Sequence, residues 1–129
     1  MSFTTLQISP TPDVIAPDGS EVRVLCRTDR GSMAHFTLPA GAVAKAVTHR
    51  TIDEIWYVLS GRGRMWRRDE SGREEVVELR AGVSLTIPQG THFQFRADDT
   101  PLTAIGTAMP PWASDDEAYA VEGPWPPTV

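Results

Sequence analysis

Short alternating segments divided by turn residues constrain the fold of this chain more than any other feature of its sequence. Residues 20–28, SEVRVLCRT, place Val22, Val24 and Cys26 on one face and charged side chains on the other, which is the period of a half-buried β-strand. Glycine, proline and aspartate separate such segments, as in residues 69–72, and these residues favour tight turns. No segment has the length and period of a long amphipathic helix. The pattern predicts an all-β sandwich or barrel.

Eight or nine strands and two proline-rich terminal segments account for the chain of 129 residues. The predicted strands are residues 20–28, 32–38, 43–49, 54–60, 64–68, 73–79, 83–87, 92–97 and 102–109. We expect a single domain over residues 1–129, with a barrel core at about 20–109, an N-terminal arm at 1–19 and an extended segment at 110–129. Because the last segment contains tryptophans, it is expected to be ordered over the barrel or over a partner subunit.

Composition and charge exclude several classes of function. The net charge is −5 and the longest basic run is the pair Arg67 and Arg68, whereas a nucleic-acid surface needs clustered lysine and arginine. No apolar run approaches the roughly 20 residues that span a bilayer, and the N-terminus lacks the pattern of a secretory signal. The single cysteine, Cys26, allows no intrachain disulfide and suits a core position in its strand. We therefore expect a cytoplasmic protein without nucleic-acid or membrane partners.

Two glycine-bounded stretches hold the side chains best suited to chemistry. The first contains His49 and Glu54 with four residues between them, and the second contains His92 after a Pro-Gly turn. Because alternate strand residues share a face, Glu54 is expected beside Trp56 in the barrel interior. A buried carboxylate needs a cation, a metal or hydrogen bonds, and a neutral imidazole serves either as a metal ligand or in acid/base catalysis. These stretches are therefore the candidate site, with a partly buried structural histidine and a strand-end carboxylate as the alternatives.

The spacing within the two stretches resembles the two motifs of the cupin superfamily. The first motif runs glycine, five residues, histidine, one residue, histidine, three or four residues, glutamate, six residues, glycine, and Gly41, His49, Glu54 and Gly61 fall on this register. The second runs glycine, five residues, proline, one residue, glycine, two residues, histidine, and Gly82, Pro88 and Gly90 match it. The resemblance covers residues 41 to about 95. It implies a cupin-type double-stranded β-helix, which is a jelly-roll barrel.

The chain departs from these motifs at two of the positions where the family usually binds metal. Val47 stands where the first motif has its leading histidine, and Phe93 stands where the second motif has its histidine. The resemblance therefore implies a metal site built from His49, Glu54 and His92, provided that the turn before His92 is one residue shorter here, because a one-residue shift reverses the face of a strand residue. His35 is the remaining histidine that could substitute as a ligand. The metal would be Fe, Mn, Ni, Zn or Cu, or the site would be metal-free.

Aromatic and basic residues suggest what a ligand would meet. Trp56, Phe93 and Phe95 would line a pocket for a small apolar or aromatic molecule, or they would form an ordinary core. The arginines of the hairpin at residues 62–68 could recognise an anion, or they could form a solvated face.

Three functions agree with these features. The first, favoured by the retention of His49, Glu54 and a nearby His92, is a metal-dependent oxygenase, isomerase or lyase acting on a small organic molecule in the barrel. The second is a metal-free enzyme in which His49 and Glu54 are the catalytic residues of proton transfer, which Val47 and Phe93 favour. The third is a small-molecule-binding protein without catalysis. A homodimer is also expected, because the family commonly pairs through its sheets and the tryptophan-rich ends offer apolar surface.

Overall fold

The computed structural model describes residues 2–129, and in this part of the chain eleven strands form two antiparallel sheets. The strands are β1 (Val14–Ile15), β2 (Glu21–Arg27), β3 (Ser32–Leu38), β4 (Val47–His49), β5 (Asp53–Ser60), β6 (Arg62–Arg68), β7 (Glu74–Arg80), β8 (Ser84–Ile87), β9 (His92–Ala97), β10 (Leu102–Met109) and β11 (Ala118–Ala120). One 3₁₀ helix, Asp115–Glu117, precedes β11. The all-β prediction is confirmed.

The order of strands in each sheet is that of a jelly roll. The six-stranded sheet runs β1-β2-β3-β10-β5-β8 and the five-stranded sheet runs β11-β4-β9-β6-β7. Neighbours such as β3 and β10, or β4 and β9, are distant in sequence, so the chain crosses repeatedly from one sheet to the other. The predicted jelly-roll barrel is therefore confirmed. The first strand of the candidate site, β4, belongs to the five-stranded sheet, while β5 belongs to the other.

The alternating pattern places one face of each strand in the core between the sheets. In β5, Glu54, Trp56 and Val58 are buried, whereas Ile55 and Tyr57 point outward and are exposed. β10 alternates in the same way along its whole length. Burial of each large apolar side chain stabilises the fold by roughly 1.5–3 kcal/mol. The strand period that predicted the fold therefore also determines which side chains enter the barrel.

Two predicted strands differ from the observed ones for identifiable reasons. Residues 43–46 do not continue β4, because other parts of the chain bind their backbone: Lys45 donates to the carbonyl of Asp18, and Val121 donates to the carbonyl of Ala46. The pairing of β2 with β3 shifts register between Val24 and Arg27. This bulge turns Cys26 out of the core, where its Sγ lies 3.8 Å from the carbonyl oxygen of Thr4.

Both terminal segments contact the barrel. On the five-stranded sheet, β11 pairs with β4, and the side-chain amide of Gln94 donates to the backbone carbonyl of Trp125 at 2.7 Å. Near β2, the Arg23 guanidinium donates to the carbonyls of Ser9 and Pro10 in the N-terminal arm. Across residues 2–129, we find no helix whose length and hydropathy would let it cross a membrane.

Candidate functional site

A cavity of about 310 Å³ opens into the barrel between the two sheets. Aromatic side chains form much of its wall: Phe36, Trp56, Phe93 and Trp112. The ring of Phe36 stacks on that of Trp56 with centroids 4.9 Å apart. Gly106 makes room for this stack, because a Cβ atom there would lie 2.6 Å from the Phe36 ring and 3.1 Å from Trp56 Nε1. The cavity therefore has a shaped, largely apolar interior, which is typical of small-molecule sites.

Glu54 is the acid that β5 directs into this cavity. Its carboxyl group is buried, and the indole Nε1 of Trp56, two residues along the same face, donates to Oε1 at 2.7 Å. Burial raises the pKa of Glu54 to about 7, the Trp56 hydrogen bond opposes that rise, and the nearby charge of Asp18 adds to it. Within residues 2–129, no lysine or arginine forms an ion pair with this carboxyl group. Glu54 can therefore exchange a proton near neutral pH.

His49 faces Glu54 from the end of β4 in the other sheet. Its Nε2 lies 3.9 Å from Glu54 Oε2, which is longer than a hydrogen bond. The imidazole packs edge-on against Phe93 and Trp112, with centroids 5.1 and 5.7 Å away. Burial lowers the pKa of His49 to about 4, and the charge of Glu117 partly offsets this. His49 is therefore neutral at neutral pH, and its Nδ1 has no hydrogen-bond partner in the described structure.

Asp18 is a third ionisable group of the cavity, and the sequence pattern predicts for it only a place in the N-terminal arm. The residue is buried, and Ser20 donates to its Oδ1 from both the backbone nitrogen, at 2.9 Å, and the hydroxyl, at 2.7 Å. Burial raises the pKa of Asp18, while the Ser20 hydrogen bonds lower it. The sequence PDGS signals a turn in which aspartate accepts a hydrogen bond from two residues on. It does not reveal that Lys45 anchors this turn against the barrel through the Asp18 carbonyl.

Trp112 closes the cavity over His49. The backbone nitrogen of Trp112 donates a hydrogen bond to Ser32 Oγ at 3.0 Å. Its carbonyl oxygen accepts a hydrogen bond from Arg27 Nη1 at 3.3 Å. The sequence predicted an ordered C-terminal segment but did not assign Trp112 to the site. Long-range contacts of β2 and β3 with this segment bring the ring to the cavity.

Glu117 fixes the turn that follows His49. Its carboxylate accepts hydrogen bonds from the backbone nitrogens of Arg50 and Thr51, each at 3.0 Å, and from the Thr51 hydroxyl. The group is buried at the end of the 3₁₀ helix. Hydrogen bonds therefore join the segment that contains Trp112 to the turn that follows His49.

The structure corrects the expectation for the two other histidines. His92 is the first residue of β9 and pairs with Thr48 and Arg68, while its neighbour Phe93 turns into the cavity. The turn at Gly90 is therefore not shortened, and His92 lies on the opposite face from His49. His35 is also turned away, because Phe36, the next residue of β3, occupies the inner face. Neither histidine joins His49 and Glu54.

The alternation of side chains along each strand also determines which of the predicted pocket residues and which hairpin arginines face the cavity. Trp56 and Phe93 line the cavity. Phe95 lies behind them as a core residue, with its ring 5.0 Å from that of Trp56. The arginines of β6 do not line the cavity, and Arg67 instead pairs with Glu75 at 2.6 Å. The hairpin therefore offers no anion site in the barrel.

The donors in the cavity do not fit the metal centre that the resemblance implies. A catalytic metal site usually has three protein ligands, and the structure brings together His49 and Glu54. Hydrocarbon from Val47 and Phe93 lines the cavity at the two remaining positions. Across residues 2–129, we find no group of three or more histidine, cysteine, aspartate or glutamate side chains arranged to hold a metal ion.

Comparisons with known proteins agree with the fold. The family model described as Cupin domain matches residues 34–105. The uncharacterised protein MJ1618 of Methanocaldococcus jannaschii is 30% identical over 108 residues, which cover 79% of this chain and 82% of that protein.

Solved structures show the same barrel at low sequence identity. Coconut allergen cocosin matches with a TM-score of 0.71 and 23% identity over 81% of this chain and 30% of that chain. Oxalate decarboxylase from Bacillus subtilis matches with a TM-score of 0.71 and 20% identity over 85% of this chain and 29% of that chain. A further structure of that enzyme, studied for its Mn(II) centres, matches with a TM-score of 0.70 and 18% identity over 86% and 30%. The chain thus spans under a third of these proteins, and the likeness shows the fold alone.

Proposed function

The chain belongs to the cupin family, and from that premise we propose that it binds a small organic molecule in its barrel and moves a proton on that molecule through Glu54 and His49. One observation carries the proposal: Glu54 Oε2 and His49 Nε2 face each other across 3.9 Å inside an aromatic-walled cavity. Both groups are buried, and neither is engaged by a lysine or arginine in the described residues. Glu54 Oε2 and His49 Nε2 are therefore free to meet a ligand.

The two groups differ in the proton that each holds. Near neutral pH the raised pKa of about 7 lets Glu54 hold a proton for donation to a ligand oxygen or lose it to act as a base. The neutral imidazole of His49 can accept a proton at Nε2. A positioned acid or base of this kind contributes roughly 10²–10⁴-fold in rate. An isomerase reaction, in which a proton leaves one atom of the ligand and returns to another, needs only these two groups.

The wall of the cavity supports the same reaction class. Trp112 covers His49, and Trp56 donates to Glu54 Oε1, so the acid is held in one orientation with Oε2 toward the cavity. Excluding water from such a site strengthens the electrostatic interactions inside it. Phe36 and Phe93 would pack on the apolar part of the ligand.

Deuterium exchange tests this proposal without knowledge of the natural substrate. A panel of small ketones and aldehydes is incubated with the protein in D₂O after treatment with a chelator, and deuterium incorporation beside the carbonyl is followed by NMR. We expect exchange of at least one compound above the protein-free rate and a loss of about 10²-fold or more in Glu54→Gln. The matched control is Glu78→Gln, because Glu78 is exposed on β7.

Three results would count against proton transfer at this site. Exchange that persists in Glu54→Gln would remove the assigned role of that residue. Exchange that disappears with the chelator and returns with Mn²⁺, Fe²⁺ or Zn²⁺ would favour the metal-dependent enzyme instead. Tight binding of a panel member without exchange would favour a binding protein.

We also propose that a second copy of the chain covers the outer face of the six-stranded sheet. This face exposes Met33, Ile55, Tyr57 and Leu59. Strands β3, β5 and β10 contain no lysine or arginine, whereas β6 and β7 expose Arg64, Glu78 and several further charges on the other sheet. The N-terminal arm adds apolar side chains, including Phe3 at 101% exposure. A self-complementary apolar face is what a homodimer requires.

A further inference from the structure

Two carboxyl groups share the cavity without a cation. Asp18 is 6% exposed and Glu54 is 5% exposed, and both line the cavity. The charge of Asp18 acts on Glu54, so the two groups lie within electrostatic reach of each other. Among residues 2–129, the ion pairs within 4 Å are those of His49 with Glu54 and of Arg67 with Glu75. Neither carboxyl group of the cavity therefore forms an ion pair with a lysine or arginine, although the charge of Lys45 acts on Asp18 from beyond ion-pair distance.

Each carboxyl group keeps one oxygen without a donor. Ser20 donates to Oδ1 of Asp18 and Trp56 donates to Oε1 of Glu54, but no hydrogen bond reaches Oδ2 or Oε2 from the described residues. Both residues line the cavity, and neither oxygen is among the buried polar atoms without a partner. The two oxygens are thus positions at which a ligand in the cavity could supply donors.

His49 gives an independent indication of a ligand in the same place. It is nine-tenths buried and lines the cavity, yet Nδ1 has no hydrogen-bond partner and Nε2 is 3.9 Å from the nearest carboxylate oxygen. A buried side chain with unused polar atoms is uncommon in a native structure. Nδ1 is itself fully covered, so a ligand in the cavity would meet His49 at Nε2, together with the carboxyl groups.

The aromatic wall favours positive charge as well. Phe36 and Trp56 present a stacked pair, Phe93 lies edge-on to Trp56 at 6.4 Å, and Trp112 closes the opposite side over His49. The face of an aromatic ring attracts a cation within about 6 Å, most strongly for tryptophan. The positive group that lines the cavity is Arg27, which is exposed and donates to the Trp112 carbonyl, so it belongs to the mouth.

We propose that the molecule bound in this cavity is a small organic ammonium, whose charged nitrogen lies between Asp18 and Glu54 and whose apolar body packs on the aromatic wall. This inference rests on the proposed function, because it names the ligand class of the same site. An anion would be repelled by the two carboxyl groups, and a neutral hydrocarbon would leave their free oxygens without donors. A bound cation would also favour the ionised form of Glu54, which is the form that takes up a proton.

Three probes of matched shape test the ligand class. Benzylamine, benzyl alcohol and benzoate are titrated into the full-length protein by calorimetry at about pH 8, which is above the pKa of Glu54 and leaves the amine largely protonated. We expect benzylamine to bind at least about tenfold more tightly than benzyl alcohol, and benzoate to bind most weakly. Asp18→Asn and Glu54→Gln should each reduce the preference for the amine by about tenfold, since both keep the acceptor oxygen that Ser20 or Trp56 uses. Glu78→Gln should leave it unchanged.

The outcomes distinguish failure of the ammonium proposal from failure of the proposed function of the cavity. Equal affinity for benzylamine and benzyl alcohol would overturn the ammonium and leave a binding cavity in place. A preference for the amine that survives both Asp18→Asn and Glu54→Gln would overturn the assigned position of the charge. Failure of all three probes to bind the wild-type protein would count against the cavity itself, and so against the proposed function.

Discussion

At the scale of single residues, Glu54 makes the molecule depend on pH in a definite direction. Its folded-state pKa of about 7 lies above the ordinary value of 4.5, so the native protein holds a proton that the unfolded chain loses between these values. Stability from this group therefore falls as pH rises from about 4.5 to 7 and does not recover above it. His49 acts in the opposite sense, because its lowered pKa costs stability as pH falls from 6.5 to about 4.

Replacing Glu54 by glutamine should remove the loss of folding stability that ionisation of this buried carboxyl group causes at high pH. We expect Glu54→Gln to be more stable than the wild type at about pH 8 by up to about 3 kcal/mol, at about 1.4 kcal/mol per pKa unit, and to match it near pH 4.5. Urea unfolding measures the unfolding free energy of both proteins at the two pH values. Because both proteins contain His49, subtracting one free energy from the other cancels the contribution of that residue. A variant that is equally destabilised at both pH values would show that Glu54 is ionised and satisfied in the native state.

At the scale of strands and turns, the sequence predicted the site wherever the alternation of a single strand determined it. β5 has the predicted face, so the burial of Glu54 beside Trp56 follows from local pattern alone. His92 could not be placed in this way, because its face depends on the length of the turn at Gly90, which the backbone of His49 holds by accepting a hydrogen bond from the Gly90 nitrogen. Asp18 and Trp112 reach the cavity through contacts between distant segments, which no local period encodes.

Replacing Glu117 should destabilise the turn after His49, because the Glu117 carboxylate binds the backbone of that turn. Glu117→Gln retains one acceptor oxygen but lacks the negative charge of the carboxylate, which accepts hydrogen bonds from the backbone nitrogens of Arg50 and Thr51. We therefore expect the unfolding free energy to fall by about 1–3 kcal/mol. Hydrogen exchange of these two amides should accelerate with it. Asp116→Asn is the matched control, since Asp116 is exposed and only its carbonyl is used, by Arg50. Unchanged exchange in Glu117→Gln would contradict the anchoring role.

At the scale of the whole molecule, the family and the jelly-roll barrel could both be predicted from the sequence, because glycine spacing and strand period are properties of the chain as written. The contrast between the two sheets could not, since it depends on which residues the barrel turns outward. Charged side chains of β6 and β7 cover one outer face, while the other presents apolar side chains around Tyr57. The proposed dimer follows from this contrast.

A charge placed on the apolar face should separate the two copies. We expect the wild-type protein to sediment as a dimer and Tyr57→Glu, in the middle of β5, to sediment as a monomer, because an unpaired carboxylate at the centre of an interface is costly. Val76→Glu is the control, because Val76 is equally apolar and exposed on the other sheet. A wild-type monomer, or a Tyr57→Glu protein of unchanged mass, would exclude this interface.

Titration of the Glu54 carboxyl carbon by ¹³C NMR would show directly whether this group holds a proton near neutral pH. The protein is labelled at glutamate and freed of metal by a chelator, and the Glu54 signal is identified by its absence from Glu54→Gln. We expect a midpoint near 7, well above the ordinary glutamate value of 4.5. A midpoint at the ordinary value would contradict this expectation, because Glu54 would then be fully ionised at neutral pH and could not supply a proton to a ligand in the barrel.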